Sequence, residues 1–338
     1  MSETNENAKN KKRRSYKGLA ILELIVIIGL SGALSWKLLK NDSGSKEAVP
    51  ANAQVQDGDP EVRTRAVIEK EETFYQLDGK KILFKDSSLG EVFVPVFADV
   101  PASSLKTENI VTRNGYSFYR GSSDKVFTGI DISEHQSTID WNKVKSAGVD
   151  FAIIRVGYRT YGGGKIQLDE HFAKNIQEAN AAGIDVGVYF FSQAVSTEEA
   201  VEEADAVIDA IAPYNITYPV IFDWEIIYGD PARTDSMTVE CLADCCISFC
   251  ERVRSAGYTP MIYQNKNTAM MKLDLPRLKD YDFWLAEYAS KPSYYYDYQI
   301  WQYTSDGYIP GVEGSVDINL CFKDYSHKSS VPEDAPQE

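Results

Sequence analysis

From Phe127 onward, short apolar runs alternate with longer stretches whose apolar positions recur every three or four residues. The runs predict strands at 128–132, 151–157, 185–191, 218–224, 261–263, 283–288, 299–303 and 316–320. The longer stretches predict helices at 141–146, 170–182, 197–211 and 238–256. Ser196 with Glu199 has the spacing of a capping box, and Gly183 and Gly257 stand where helices should stop. Eight strands, mostly joined by helical crossovers, predict an α/β fold built on a parallel barrel. The last connections are too short for full helices. The expectation is an irregular TIM-like (β/α) barrel, over residues 127–322, with few helices in its last third.

Upstream of the barrel the pattern is different. Residues 63–126 read as a small β-rich module. Asp78-Gly79 and Asn114-Gly115 each sit between short β-prone runs, the signature of two-residue hairpin turns. The run Glu91-Val-Phe-Val-Pro-Val-Phe97 predicts a further strand, with Pro95 marking an edge. The module carries no recognisable chemistry and reads as a spacer, with a wall-binding element as the alternative. Residues 37–62 are polar and aperiodic, as in a flexible linker. Residues 18–36 are apolar but for Glu23, long enough to span a bilayer as a helix. Residues 1–17 hold six Lys and Arg against Glu3 and Glu6, a net charge of +4. By the positive-inside rule this predicts a single-pass anchor, with a cytoplasmic amino terminus and an extracellular body. Cleavage near Ala33-Leu-Ser35 and secretion is the alternative. Residues 323–338 read as an acidic, loose tail.

Charge narrows the function classes. The chain of 338 residues carries a net charge of −15, so the remainder beyond the basic tail stands at −19. An acidic body does not suit binding to nucleic acid backbones. Five cysteines, four of them within one predicted helix, give no simple disulfide framework and read as small buried apolar side chains. The 21 Tyr and 5 Trp suit a surface that stacks on amphipathic ligands such as sugars, or a core rich in rings.

Candidate chemistry lies at the carboxyl-terminal ends of the strands, where such barrels place their active sites. Asp223 and Glu225 close the run Tyr218-Pro-Val-Ile-Phe222, and residues two apart along a strand face the same side. A pair of carboxyls is what glycosidic bond cleavage needs, one to give a proton and one to stabilise the developing cation. Asp131 falls near the end of the first predicted strand, and the last predicted strand holds Asp317. Tyr, Trp and Gln side chains surround all four. Like charges gathered in one cleft raise each other's pKa.

The segments Gly129-Ile-Asp-Ile-Ser-Glu-His-Gln136, Phe151-Ala-Ile-Ile-Arg-Val-Gly157, Gly187-Val-Tyr-Phe-Phe191, Asp223-Trp-Glu225, Trp284-Leu-Ala-Glu-Tyr288, and Ile300-Trp-Gln-Tyr303 through Gly314-Ser-Val-Asp317 together resemble the glycoside hydrolase family 25 lysozymes. The resemblance covers residues 129–320. It implies an irregular β/α barrel that cleaves the β-1,4 bond between N-acetylmuramic acid and N-acetylglucosamine in peptidoglycan, with retention and without a cofactor. It also implies Glu225 as general acid and base, and Asp223 as the group that assists the substrate's own 2-acetamido group. On the same resemblance Asp131 and Asp317 support Glu225, Tyr189 is an aromatic of the cleft, and Arg155, Tyr263, Trp284 and Gln302 contact substrate. A direct nucleophilic Asp is the alternative role for Asp223. Near the amino terminus, Lys17-Gly-Leu-Ala-Ile-Leu-Glu-Leu-Ile-Val26 resembles a type IV prepilin leader.

Three other readings compete. A non-catalytic glycan-binding barrel would lack one of the two central carboxyls, and both are present. A metal-dependent peptidoglycan amidase or deacetylase needs ligand spacing that His135, His171 and His327 do not show. A serine hydrolase of the elbow type needs G-x-S-x-G, which the sequence lacks. The implied partners are peptidoglycan and, through the amino-terminal helix, a lipid bilayer.

Overall fold

The computed structural model describes residues 77–86, 90–121 and 125–325. The basic tail, the apolar segment 18–36 with its prepilin-like leader, and the linker lie outside them. Among the described residues no helix is long and apolar enough to cross a membrane.

Two hairpins come first. Strands β1 (Leu77–Asp86) and β2 (Gly90–Phe97) pair antiparallel, as do β3 (Ile110–Arg113) and β4 (Tyr116–Tyr119). The second turns at Asn114-Gly115, both at positive φ, as the sequence predicts. The first does not turn at Asp78-Gly79. That dipeptide lies inside β1, where the register slips between Leu77 and Lys81, and β1 pairs with the strand containing Pro95. A bulge tolerates the same residues as a tight turn, so the dipeptide alone cannot tell them apart.

The barrel follows. Its strands are β5 (Phe127–Ile132), β6 (Phe151–Arg159), β8 (Asp185–Ser192), β9 (Val220–Trp224), β10 (Pro260–Asn265), β11 (Asp282–Ala286), β12 (Ile300–Gly307) and β13 (Val316–Cys321). A short strand, β7 (Ile166–Leu168), pairs antiparallel with the end of β6. Pairing of β5 with both β6 and β13 closes the ring of eight. Neighbours from β5 to β12 run parallel, whereas β13 runs antiparallel to β12 and to β5. The expected barrel was parallel throughout. The difference follows from residues 308–315, too short a connection to carry the chain back for a parallel strand.

Helices α1 (Trp141–Ser146), α2 (Phe172–Ala181), α3 (Thr197–Ile211) and α4 (Val239–Ser255) cover the first half of the barrel, within two residues of the predicted spans. The Ser196 hydroxyl caps α3 at the Glu199 N–H, while the Glu199 carboxylate accepts from Val195 N–H rather than closing the box. Cys245, Cys246 and Cys250 of α4 are fully buried. Two further short helices, α5 (Lys266–Lys272) and α6 (Leu275–Leu278), lie between β10 and β11.

Between β11 and β12 no helix forms, and the two amino-terminal hairpins cover that side. Val92, Val94, Phe97 and Ile110 belong to the same apolar core as the barrel's outer face. The Tyr296 hydroxyl accepts from Phe97 N–H at 2.9 Å, and the Tyr116 hydroxyl donates to the Tyr308 carbonyl at 2.6 Å. The described part of the module expected to be a spacer therefore packs against the barrel's outer face. Lys323 and Tyr325, expected in a loose tail, both bond Asp282, and Tyr325 is buried beneath the barrel.

Alternation along the strands sorts the side chains. Ile130, Ile154, Phe222 and Trp301 face outward into the main core. Phe151, Ile153, Ile221, Met261, Trp284 and Ile300 face inward and form a second core inside the ring. Gly129 is required there, since a Cβ would lie 2.2 Å from the Phe151 ring. Two-residue periodicity then carries Asp131, Asp223, Gln302 and Asp317 to the inward face, above this packed floor.

Candidate active site

Above the inner core a cavity of about 280 Å³ opens at the carboxyl-terminal end of the barrel. Its lining includes every candidate from the sequence: Asp131, Asp223, Glu225, Asp317, Tyr189, Arg155, Tyr263, Trp284 and Gln302. Ser133, His135, Gln136, Phe191 and Tyr288 complete it, with Ile132. The four acids come from β5, β9 and β13, far apart in sequence and adjacent only because the ring closes through β13.

Asp223 is buried inside the end of β9, and Glu225 follows the last residue of that strand. Two buried glutamines hold the backbone between them. Gln264 Nε2 donates to the Trp224 carbonyl at 2.6 Å, and Gln193 Nε2 donates to the Glu225 carbonyl at 3.2 Å. Gln193 is itself fixed by the Thr234 hydroxyl at 2.8 Å. The Glu225 carboxyl is pushed up to about 7, first by burial and then by the charge of Asp317. The Asp223 carboxyl is pushed well above the ordinary range by burial, then by Glu225 and Asp131, while Arg155 pulls it down. Asp223 Oδ1 is buried without a hydrogen-bond partner. A buried, unpaired acceptor is costly in isolation and is satisfied when a ligand brings a donor.

Asp131 is held differently. Its Oδ2 accepts from Gln302 Nε2 at 2.9 Å and from Asn319 Nδ2 at 2.7 Å. Asn319 Oδ1 accepts from the Trp284 indole N–H at 2.8 Å, and because an indole only donates, the orientation of the Asn319 amide is determined. Gln302 Oε1 takes the hydroxyls of Tyr263 at 3.2 Å and Tyr288 at 3.1 Å. Burial and Asp317 push Asp131 upward against these two amide donors, and burial pushes Asp317 up to about 6. The cleft thus holds fewer negative charges at neutral pH than its four carboxyls suggest.

Two expected substrate contacts are committed within the protein. Gln302 spends both ends of its amide on Asp131 and the two tyrosines. Arg155 is bound to Asp169 through Nε at 2.9 Å and Nη2 at 2.8 Å, and to Glu134 at 3.1 Å. Both still line the cavity. Trp284 packs edge-on against Tyr263, with centroids 4.6 Å apart, and against Tyr189 at 6.4 Å. Glu287, unassigned by sequence, pairs with Lys266 at 2.7 Å and binds Ser293 N–H and Tyr294 N–H, outside the cavity. It fastens the long β11–β12 connection. Sequence reasoning missed Asn319, Gln193, Gln264 and Asp169 as parts of the site. Their only signal was position at or just past strand ends, which a buried amide shares with any polar residue there.

The description "Glycosyl hydrolases family 25" matches residues 130–312, more than half of the chain. The chain belongs to this family. It is 28% identical over 192 residues to the autolytic lysozyme of Clostridium acetobutylicum, covering 56% of this chain and 54% of that protein. It is 28% identical over 209 residues to lysozyme M1 of Streptomyces globisporus, covering 56% of this chain and 66% of that one. Among solved structures it is similar to the modular autolysin LytC of Streptococcus pneumoniae, with TM-score 0.52 and 28% identity over 72% of this chain and 57% of LytC. LytC has also been solved in complex with a synthetic peptidoglycan ligand. The chain therefore spans roughly half to two thirds of the length of these relatives. In this family 25 barrel, the matched region contains Asp131, Arg155, Tyr189, Asp223, Glu225, Tyr263, Trp284 and Gln302, and ends just before Asp317.

Proposed function

We propose that the chain is a peptidoglycan hydrolase that cleaves the β-1,4 bond between N-acetylmuramic acid and N-acetylglucosamine, with retention and by substrate assistance. The observation that carries this reading is that one cavity holds both Glu225, whose buried carboxyl is pushed up to about 7, and Asp223, whose buried Oδ1 has no partner. The similarity to two lysozymes, and to an autolysin solved with a peptidoglycan ligand, supports the choice of substrate.

With substrate bound, Glu225 carries the proton and Asp223 is the anion. Burial and their mutual repulsion favour one proton for the two groups. The N–H of the N-acetylmuramic acid acetamido group donates to Asp223 Oδ1, which stabilises Asp223 as the anion and leaves the proton on Glu225. The acetamido oxygen attacks the anomeric carbon as Glu225 protonates the departing glycosidic oxygen. An oxazolinium-like intermediate forms, its positive charge beside Asp223. Glu225, now a carboxylate, takes a proton from water, which attacks the anomeric carbon and reopens the ring with retention. Asp317 keeps the Glu225 proton in place at neutral pH. Asp131, clamped by its two amides, sets the position of Asp317 across the strand pair.

The reading extends to location. Residues 18–36 anchor the chain as a single span, and the body works outside the membrane on the cell's own wall. The test of the activity is digestion of purified peptidoglycan by the full chain. Wild-type protein releases soluble fragments, whereas Glu225→Gln and Asp223→Asn, both folded, release less than about one hundredth as much, in line with loss of general acid–base catalysis. Near-normal release by Glu225→Gln removes that residue from its role.

A further inference from the structure

Strand β6 continues past the barrel rim to Arg159 and turns back through residues 160–165 into β7, raising a hairpin beside the cavity. This hairpin is secured by a buried ionic network that the catalytic steps do not use. Arg159 Nε donates to Glu203 at 2.6 Å, Nη2 donates to Glu202 at 2.8 Å and to the Glu199 carbonyl at 3.0 Å, and Nη1 donates to the Gly164 carbonyl at 2.8 Å. Glu203 is fully buried in α3 and also accepts from the Ser192 hydroxyl at 2.5 Å. Burying an Arg–Glu pair carries a large desolvation cost, and its return here is geometric: it fixes the hairpin's base and tip.

The loop that follows Glu225 is joined to the same hairpin. Arg233 N–H donates to the Tyr161 carbonyl at 3.0 Å, and the Tyr161 hydroxyl donates to Asp230 Oδ2 at 3.3 Å. The Arg233 guanidinium donates to Glu199 at 2.7 Å and lies so close to Gly164 that a Cβ there would be 2.6 Å from it. Two loops from the rim thus form one preorganised wall next to the general acid. The wall presents tyrosine to solvent: Tyr161 is 40% exposed, and Tyr228, three residues after Glu225, is 84% exposed. Neither lines the cavity.

We propose that Tyr161 and Tyr228 form a glycan-binding subsite beyond the catalytic cavity, which takes sugar rings of the strand on one side of the cleaved bond. The choice of ligand rests on the muramidase reading. An exposed tyrosine offers a flat apolar face and a polar tip, which matches a pyranose ring with its axial C–H face and equatorial hydroxyls. A wall held rigid before binding loses little freedom when a sugar docks, so two modest stacking contacts translate into affinity. Arg155, on the strand that leads into the hairpin, and Glu225, at the head of the second loop, both line the catalytic cavity, so a polymer that extends from the site runs toward the wall.

The test uses the full chain and oligosaccharides of alternating N-acetylglucosamine and N-acetylmuramic acid, four and eight rings long. In Glu225→Gln protein, calorimetry measures binding without turnover. Tyr161→Ala with Tyr228→Ala weakens binding of the eight-ring chain by about tenfold, and weakens the four-ring chain less. Phenylalanine at both positions keeps most of the affinity. In the active protein the same double substitution lowers the ratio of kcat/KM for eight rings over four. Equal binding of the eight-ring chain by parent and double variant overturns the subsite, as does failure of the parent to prefer eight rings to four. Tyrosine-dependent binding without any hydrolysis by the unsubstituted chain would keep the subsite and overturn the muramidase reading instead.

Discussion

Asp131 and Asp317 stand directly opposite each other where β5 and β13 run antiparallel. Like charges at opposed positions on one face destabilise a sheet, and the arrangement persists because the pair does not carry two full charges. Asp131 is satisfied on Oδ2 by Asn319 and Gln302, and both acids are pushed upward by burial. Of the two, Asp317 is the charge that acts on Glu225.

Replacing Asp317 therefore changes the pH profile in a defined direction. Loss of its negative charge lowers the Glu225 pKa from about 7. The alkaline limb of kcat/KM, where Glu225 loses its proton, moves to lower pH in Asp317→Asn. Hydrolysis of a soluble peptidoglycan oligosaccharide across pH 4–9 measures it, and a limb that stays in place or moves upward contradicts the assignment.

Glu225 also makes a prediction about stability. Its folded-state pKa of about 7 lies above its ordinary 4.5, so between those values the folded state holds the proton more tightly. That contribution is present below about pH 4.5 and is lost as pH rises through 7. Glu225→Gln has no charge to bury, so at pH 8 it unfolds at higher denaturant than wild type, by about 3 kcal/mol. The difference disappears near pH 4. A Glu225→Gln protein less stable than wild type at pH 8 shows that the carboxylate is well solvated or paired.

The amino-terminal hairpins give a third. The Phe97 ring stacks near Tyr296, with centroids 6.4 Å apart, and is buried in the common core. Phe97→Ala costs about 3–5 kcal/mol. Because hairpins and barrel share that core, urea unfolding stays a single transition, shifted to lower denaturant. A separate early transition for the hairpins, with the barrel unaffected, means that they do not support it.

Much of this barrel is legible in the sequence. The strands reveal themselves because buried parallel strands are short, continuous apolar runs, and Asp131, Asp223 and Glu225 stand out at or just past the carboxyl ends of such runs, whereas Asp317 sits at the amino end of β13 and reaches the same mouth because that strand runs antiparallel. Asp223 and Glu225 share a face by period alone. What the sequence did not disclose depends on contacts between distant segments. The antiparallel course of β13 follows from the length of its connection, which the sequence shows to be too short for a helix without showing that the strand reverses. The role of the hairpins depends on an uncovered side of the barrel near Tyr296, about 200 residues downstream of Phe97. The resemblance implies substrate contacts for Arg155 and Gln302, and both line the cavity, but their partners within the protein were not legible. Asp169 and Asp131, which they bind, come from other strands or loops.

The central claim is that the chain cuts one particular bond, and the new reducing ends identify it. Purified peptidoglycan is digested with the full chain, the ends are reduced with borohydride, and the products are hydrolysed to sugars. The account predicts muramitol as the new reduced sugar, formed in proportion to solubilisation and absent with Glu225→Gln. Glucosaminitol, or free amino groups without any new reducing sugar, would contradict it.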